Sequence, residues 1–140
     1  MLPKLIAALS AVALLFPMLF FTFASPPLLV LKHDTPQDAR FIRGLFHHYY
    51  TVVTIAASAG ALAQLAIGHF GPAVAMAGVA ALAFSLYRWL IPRMDALRES
   101  INSGDATAIA QFRRLHITGM LINVVQVAVV AWGLIKLFTL

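Results

Sequence analysis

The sequence predicts an all-α integral membrane four-helix bundle: four transmembrane helices, a short outer turn and two cytoplasmic hairpin connections. Three observations predict it. First, hydrophobic residues make up 61% of the 140 and charged residues 11%. A soluble domain has about 45–50% apolar and about 25% charged residues, so this mixture cannot cover a water-facing surface. Second, no charged residue falls between Lys4 and Lys32, between Arg43 and Arg88, or between Arg114 and Lys136. A helix needs about 20 apolar residues to cross about 30 Å of hydrocarbon, so the outer gaps fit one crossing each and the middle gap fits two. Third, Gly68-His69-Phe70-Gly71-Pro72 places a turn signal in the middle gap. Lipid offers the backbone no hydrogen-bond partners, and runs this long without alternation are helical.

Span 1, about 5–25, has an apolar run from Leu5 to Phe23. That is longer than the roughly 7–15 residues of a signal-peptide core, and Thr22-Phe23-Ala24 lacks small-x-small cleavage chemistry, so a retained anchor is expected. Pro17 should kink it, and Ser25-Pro26-Pro27 should end or bend it. Thr35-Pro36-Gln37-Asp38 reads as a helix start, with Thr35 as N-cap, and the helix runs through Arg40 and Arg43 into span 2, about 46–67. Span 3, about 72–91, continues through Pro92 to Glu99 as the first arm of a helical hairpin. Gly104 stops that arm and Asp105 caps the helix that becomes span 4, about 115–137. Antiparallel folding should bring Asp95 and Glu99 near Arg113 and Arg114, or one turn from them.

Orientation follows from the basic residues. Lys32, Arg40, Arg43, Arg88, Arg93, Arg98, Arg113 and Arg114 lie in or beside the two polar loops, against Lys4 and Lys136 on the other side. The positive-inside rule puts both loops in the cytoplasm and both termini outside, in a bacterial inner (cytoplasmic) membrane. The net charge of +5 has the same origin. The bilayer is the expected partner; no basic strip interleaved with aromatics points to nucleic acid. The lack of cysteine removes disulfides, thiolate metal sites and a Cys nucleophile.

Candidate functional residues are the polar ones at membrane depth. His47, Tyr50, Thr51, Thr54, Ser58, Ala61 and Gln64 recur at helical steps in span 2, and His116, Gly119, Asn123 and Gln126 do so in span 4. Thr54 lies as far beyond His47 as Asn123 lies beyond His116, so the two stripes should face each other, either as interhelical glue or as a ligand lining. No Asp or Glu sits deep in a span, which disfavours an ion-driven transporter. His33, His47, His48 and His116 gather at the predicted cytoplasmic edge near Asp34 and Asp38. Such a set suits zinc, copper, non-haem iron or an axial haem ligand. With Tyr49, Tyr50, Tyr87 and Trp89 it equally suits an interfacial belt, and no HExxH or His-x3-His spacing decides the matter. No cofactor is specified. Arg88 either snorkels to the interface or forms an anion clamp with Arg93.

The segments Trp89-Leu90-Ile91-Pro92-Arg93-Met94-Asp95-Ala96-Leu97-Arg98, Phe112-Arg113-Arg114-Leu115-His116 and Met120-Leu121-Ile122-Asn123-Val124-Val125-Gln126 carry a resemblance. They resemble a small four-span bacterial membrane family known only as a domain of unknown function, related to a eukaryotic transmembrane protein associated with cisplatin resistance. The resemblance implies the fold and a focus at His116 and Asn123, and no reaction; Gly119 stands where that family more often has Ser. The hydropathy profile is also similar to that of anthrone oxygenases. The expected function is therefore a structural or interaction subunit that packs as a homo-oligomer or in a larger membrane complex. The alternatives are a membrane-bound enzyme or metal or haem binder using the edge histidines, and a carrier of a small amphipathic molecule. Whether the chain is an enzyme stays open at this point.

Overall fold

The structure is a computed structural model describing residues 1–139. Its elements are α1 (Leu2–Ala24), a 3-10 turn (Pro26–Val30), α2 (Pro36–Ala66), α3 (Phe70–Ala96), the short α4 (Arg98–Asn102) and α5 (Ala106–Thr139). Four of the helices are long and apolar enough to cross a membrane. The chain is an all-α, four-helix, multi-pass membrane protein.

The local signals act where the sequence places them. Thr35 has extended backbone and its hydroxyl accepts the Asp38 N–H at 3.2 Å, which frees α2 to run unbroken past Arg40 and Arg43. At the end of α2 the His69 N–H reaches the Gln64 carbonyl and the Gly68 N–H reaches the Leu65 carbonyl, both at 3.0 Å. That paired closure needs a left-handed residue, and Gly68 supplies it at φ 76°. The same closure recurs at Gly104, after which Asp105 accepts the Thr107 N–H at 2.9 Å and starts α5. α1 runs through Pro17 and ends one residue before the Ser25-Pro26-Pro27 break.

Each long helix packs against its sequence neighbours, with α1 against α5 closing the ring, so α2 and α5 stand diagonally across the bundle axis. Their buried seams repeat at three- and four-residue steps, as a nearly antiparallel bundle requires: Ile42, Phe46, Tyr49, Val53, Ala57, Gly60 and Gln64 on α2, and Phe112, His116, Gly119, Asn123, Gln126 and Val130 on α5. The outer faces of α1 and α5 expose large apolar side chains such as Leu9, Phe16, Phe20, Leu121, Val125 and Ile135, as a lipid-facing surface does.

The basic hairpin differs from expectation in its ion pairs. Asp95 makes a paired contact with Arg43 of α2, at 3.0 and 3.1 Å, and a looser one with Arg98 at 3.6 Å. Asp95 therefore ties α3 to α2, its closest neighbour, and does not meet Arg113 or Arg114. Those arginines lie on α5, which α3 meets along another face.

Candidate functional site: a directed hydrogen-bond chain on His116

His116 is fully buried on α5. Its Nε2 lies 2.9 Å from the Ser25 hydroxyl at the end of α1, and its Nδ1 lies 2.9 Å from Nε2 of His33. His33 is also fully buried, in the linker between the 3-10 turn and α2, and adopts the left-handed conformation at φ 61°. A non-glycine residue there is strained by about 1–2 kcal/mol, so something must hold it. Arg113, one turn before His116, does so. One of its terminal nitrogens donates to the Leu31 carbonyl at 3.2 Å and to His33 Nδ1 at 3.3 Å.

A guanidinium has donors only, and this fixes the direction of the whole chain. Arg113 donates to His33 Nδ1, so the proton of a neutral His33 sits on Nε2 and is donated to His116 Nδ1. The proton of His116 then sits on Nε2 and is donated to the Ser25 oxygen. Burial, and next the Arg113 charge, hold the His33 pKa below its usual value, which keeps that ring neutral.

Two chemical consequences follow. A serine nucleophile needs its base to accept the hydroxyl proton, whereas His116 offers Ser25 a proton already. A metal needs an imidazole lone pair, and both accepting nitrogens, His33 Nδ1 and His116 Nδ1, are occupied by N–H donors. Among the described residues no three His, Asp or Glu side chains gather as a metal cluster. As it stands the arrangement is a clasp that locks the linker and the end of α1 onto α5.

Below the clasp Phe46 and Tyr50 fill the space over Gly119. A Cβ on Gly119 would overlap the Phe46 ring edge and stand 3.2 Å from the Tyr50 hydroxyl. Phe46 also meets the His116 ring edge-on, with centroids 5.6 Å apart. One turn deeper Asn123 bridges three helices. Its carboxamide oxygen accepts the Tyr49 hydroxyl, and its nitrogen donates to Thr22 at 2.6 Å and to the Met18 carbonyl at 3.5 Å. Gln126 then donates to the Val79 carbonyl at 3.4 Å, reaching α3.

The residues singled out from the sequence thus divide. His116, Asn123 and Gln126 line the bundle interior, as expected, and Tyr50 is buried with its hydroxyl unpartnered. The stripe facing them on α2 is rotated from the expected one and runs through Phe46, Tyr49 and Val53. Thr54 and Ser58 bond the carbonyls one turn back on their own helix, at 2.7 Å each, and Ser58 is exposed. Serine and threonine satisfy themselves in this way and need no partner helix. His47 packs beside Tyr87 with its Nδ1 unpartnered, and His48 donates to the Gly44 carbonyl at 2.8 Å; neither joins His33 and His116. Arg88 is exposed, and Arg93 lies over the Trp89 ring. Ser25 and Arg113 were not singled out. The available signal was the i, i+3 spacing of Arg113 and His116 on one face of α5, at the end where a short linker must return. Set against family models, curated proteins and solved structures, the chain matches none of them.

Proposed function

We propose that the chain is a structural or interaction subunit that packs through the outer face of α3 against a second copy, as a homo-oligomer or within a larger membrane complex. The supporting observation is the small-residue face that α3 turns away from its own bundle. Gly71, Ala77, Gly78, Ala81 and Ser85 are exposed on one side of that helix, with the larger Val74 among them, and a Cβ at Gly71 or Gly78 would meet nothing within 4 Å. Apolar side chains gain no hydrophobic advantage from leaving lipid, so helix association there depends on close backbone approach, which small residues permit. The bulky outer faces of α1 and α5 are the opposite case.

The resemblance to the four-span bacterial family belongs to the same proposal and names no reaction. So do the inner-membrane location and the orientation with both termini outside, which rest on the distribution of arginine and lysine. The histidine-based alternatives have less support, because the clasp uses its ring nitrogens and leaves Ser25 accepting a proton.

The absence of native cysteine gives a clean background for the test. A single cysteine replacing Gly78 should form a disulfide-linked dimer in membranes under mild oxidation, and one replacing Leu121 on the outer face of α5 should not. Gly78→Leu should shift the protein to a smaller species on native gels in mild detergent. A monomer that neither cysteine cross-links would overturn the proposal.

A further inference from the structure

A cavity at the basic end of the bundle lies outside the His116 clasp. It measures about 420 Å³, a volume typical of small-molecule sites, and is lined by Arg93, Ala96, Leu97, Gln111, Arg114 and Leu115. It sits where α3 leaves the apolar span and α5 enters its own. One side is Arg93, Ala96 and Leu97 at the end of α3, the other Gln111, Arg114 and Leu115 of α5, so each side brings an arginine, and no acid is among the lining residues. The ion pairs among the described residues are those of Asp95 with Arg43 and Arg98, so Arg93 and Arg114 keep their charge unpaired. Arg93 is held in place by stacking over Trp89, 4.6 Å from the ring centroid. Ala96, Leu97 and Leu115 are the apolar residues of the lining.

We propose that this cavity binds the phosphate of an anionic phospholipid headgroup, with Arg93 and Arg114 as the clamp. Two guanidinium forks match phosphate oxygens by paired N–H donation, which a single surface lysine cannot do. The absence of a lining carboxylate selects net negative headgroups, because the ammonium of a zwitterionic lipid finds no counter-charge there. The apolar lining residues Ala96, Leu97 and Leu115 give the glycerol and upper acyl segments a surface that a free phosphate ion does not use. Trp89 marks the interfacial depth at which lipid phosphates lie.

The test uses the purified full chain in detergent, titrated with phosphatidylglycerol, phosphatidylcholine or inorganic phosphate and read by native mass spectrometry. Phosphatidylglycerol should bind saturably and at least about tenfold more tightly than phosphatidylcholine, because both arginines favour a net negative headgroup. The R93Q/R114Q double variant should lose that preference, R114Q alone should lose part of it, and K136Q at the other end should retain it. Arg93 and Arg114 are exposed and Lys136 is half-buried, and unchanged unfolding midpoints would certify the fold. Equal binding of the two lipids, full retention of the preference in the double variant, or inorganic phosphate binding as tightly as phosphatidylglycerol would overturn the proposal.

Discussion

Replacing His116 by leucine tests the direction and the worth of the clasp together. Leucine keeps most of the volume that packs edge-on against Phe46 and removes both ring nitrogens, so the change isolates the hydrogen bonds. His33 Nε2–H then loses its acceptor inside a fully buried site, and an unsatisfied buried donor costs about 1–3 kcal/mol. The Ser25 oxygen loses the N–H it accepted, but the hydroxyl hydrogen can still be donated to a carbonyl at the end of its own helix, so the group keeps one partner and that loss is the smaller. We expect a total of about 2–3 kcal/mol, read as a shift in unfolding with increasing sodium dodecyl sulfate in mixed micelles, followed by Trp89 and Trp132 fluorescence. His33→Asn is the second arm, since asparagine tolerates the left-handed conformation that His33 adopts at φ 61°. The double variant should fall short of the sum by about 1–2 kcal/mol, because each single change already breaks the shared bond. Additivity within about 0.5 kcal/mol would refute the bonded pair. The pH dependence has a fixed sign. The folded pKa of His33 lies below the ordinary value of 6.5, so at acid pH the unfolded chain binds the extra proton. Stability from this ring is complete above pH 6.5 and is lost as pH falls from there toward the depressed folded value; His33→Asn should flatten that dependence.

Asn123→Leu strands the buried Tyr49 hydroxyl and removes the bonds to Thr22 and Met18. By the same unfolding assay it should cost about 1–2 kcal/mol, the upper range for hydrogen bonds between membrane helices, and a cost near zero would mean that Tyr49 finds another acceptor. Asp95→Asn breaks the paired contact with Arg43, but both side chains are partly exposed, at 30% and 40%, so the loss should stay within about 1 kcal/mol and shrink with added salt. Ala80→Asp puts a carboxylate at a position only 8% exposed in the middle of α3; it should cost several kcal/mol or prevent membrane insertion, measured as the yield of folded protein.

The spans, and the residues that open and close their helices, were legible because those signals are local. Charge-free gaps of the right length, the Thr35-Pro36 start, Gly68, and the Gly104-Asp105 stop-and-start each act through a backbone need that one or two residues meet. The α5 seam was legible too, since the carboxamides of Asn123 and Gln126 carry both donors and an acceptor, more than a carbonyl one turn back can satisfy, and they turn inward. On α2 the same rule misleads. Thr51, Thr54 and Ser58 donate to carbonyls one turn back, so their polarity carries no information about which face meets the bundle, and Phe46 and Tyr49 decide it through packing. The clasp was half legible. His116 stood out by depth, but Arg113 looked like one of several surface arginines. His33 sits in a conformation for which the local signal is glycine or asparagine. Only the tertiary contact between the linker and α5 makes that conformation tolerable, and nothing within a few residues encodes it.

Gly119 sets two effects against each other, and their sizes decide between them. A serine there would place a hydroxyl near the buried Tyr50 hydroxyl, which has no partner, and satisfying such a group returns about 1–3 kcal/mol. The Cβ that carries it would overlap the edge of Phe46. That ring has no room to retreat, being held by Phe21 at 4.9 Å, His116 at 5.6 Å and Tyr50 at 5.7 Å between centroids. Overpacking of this kind costs about 1–3 kcal/mol even when one methyl-sized group is added, and here the displaced ring also supports the clasp. The clash should win. Gly119→Ala should be the worst variant and Gly119→Ser less damaging by the value of the new hydrogen bond. Gly119→Ser combined with Phe46→Leu should recover most of the loss, since the shorter side chain vacates the overlapped space. Gly44→Ala serves as the control, because a Cβ there meets nothing within 4 Å and alanine should gain about 0.5–1 kcal/mol in a helix. If Gly119→Ser equals or exceeds the parent in stability, the Phe46 ring is mobile and the tight layer beneath His116 is wrongly described; if serine and alanine are equally damaging, the Tyr50 hydroxyl is not waiting for a partner.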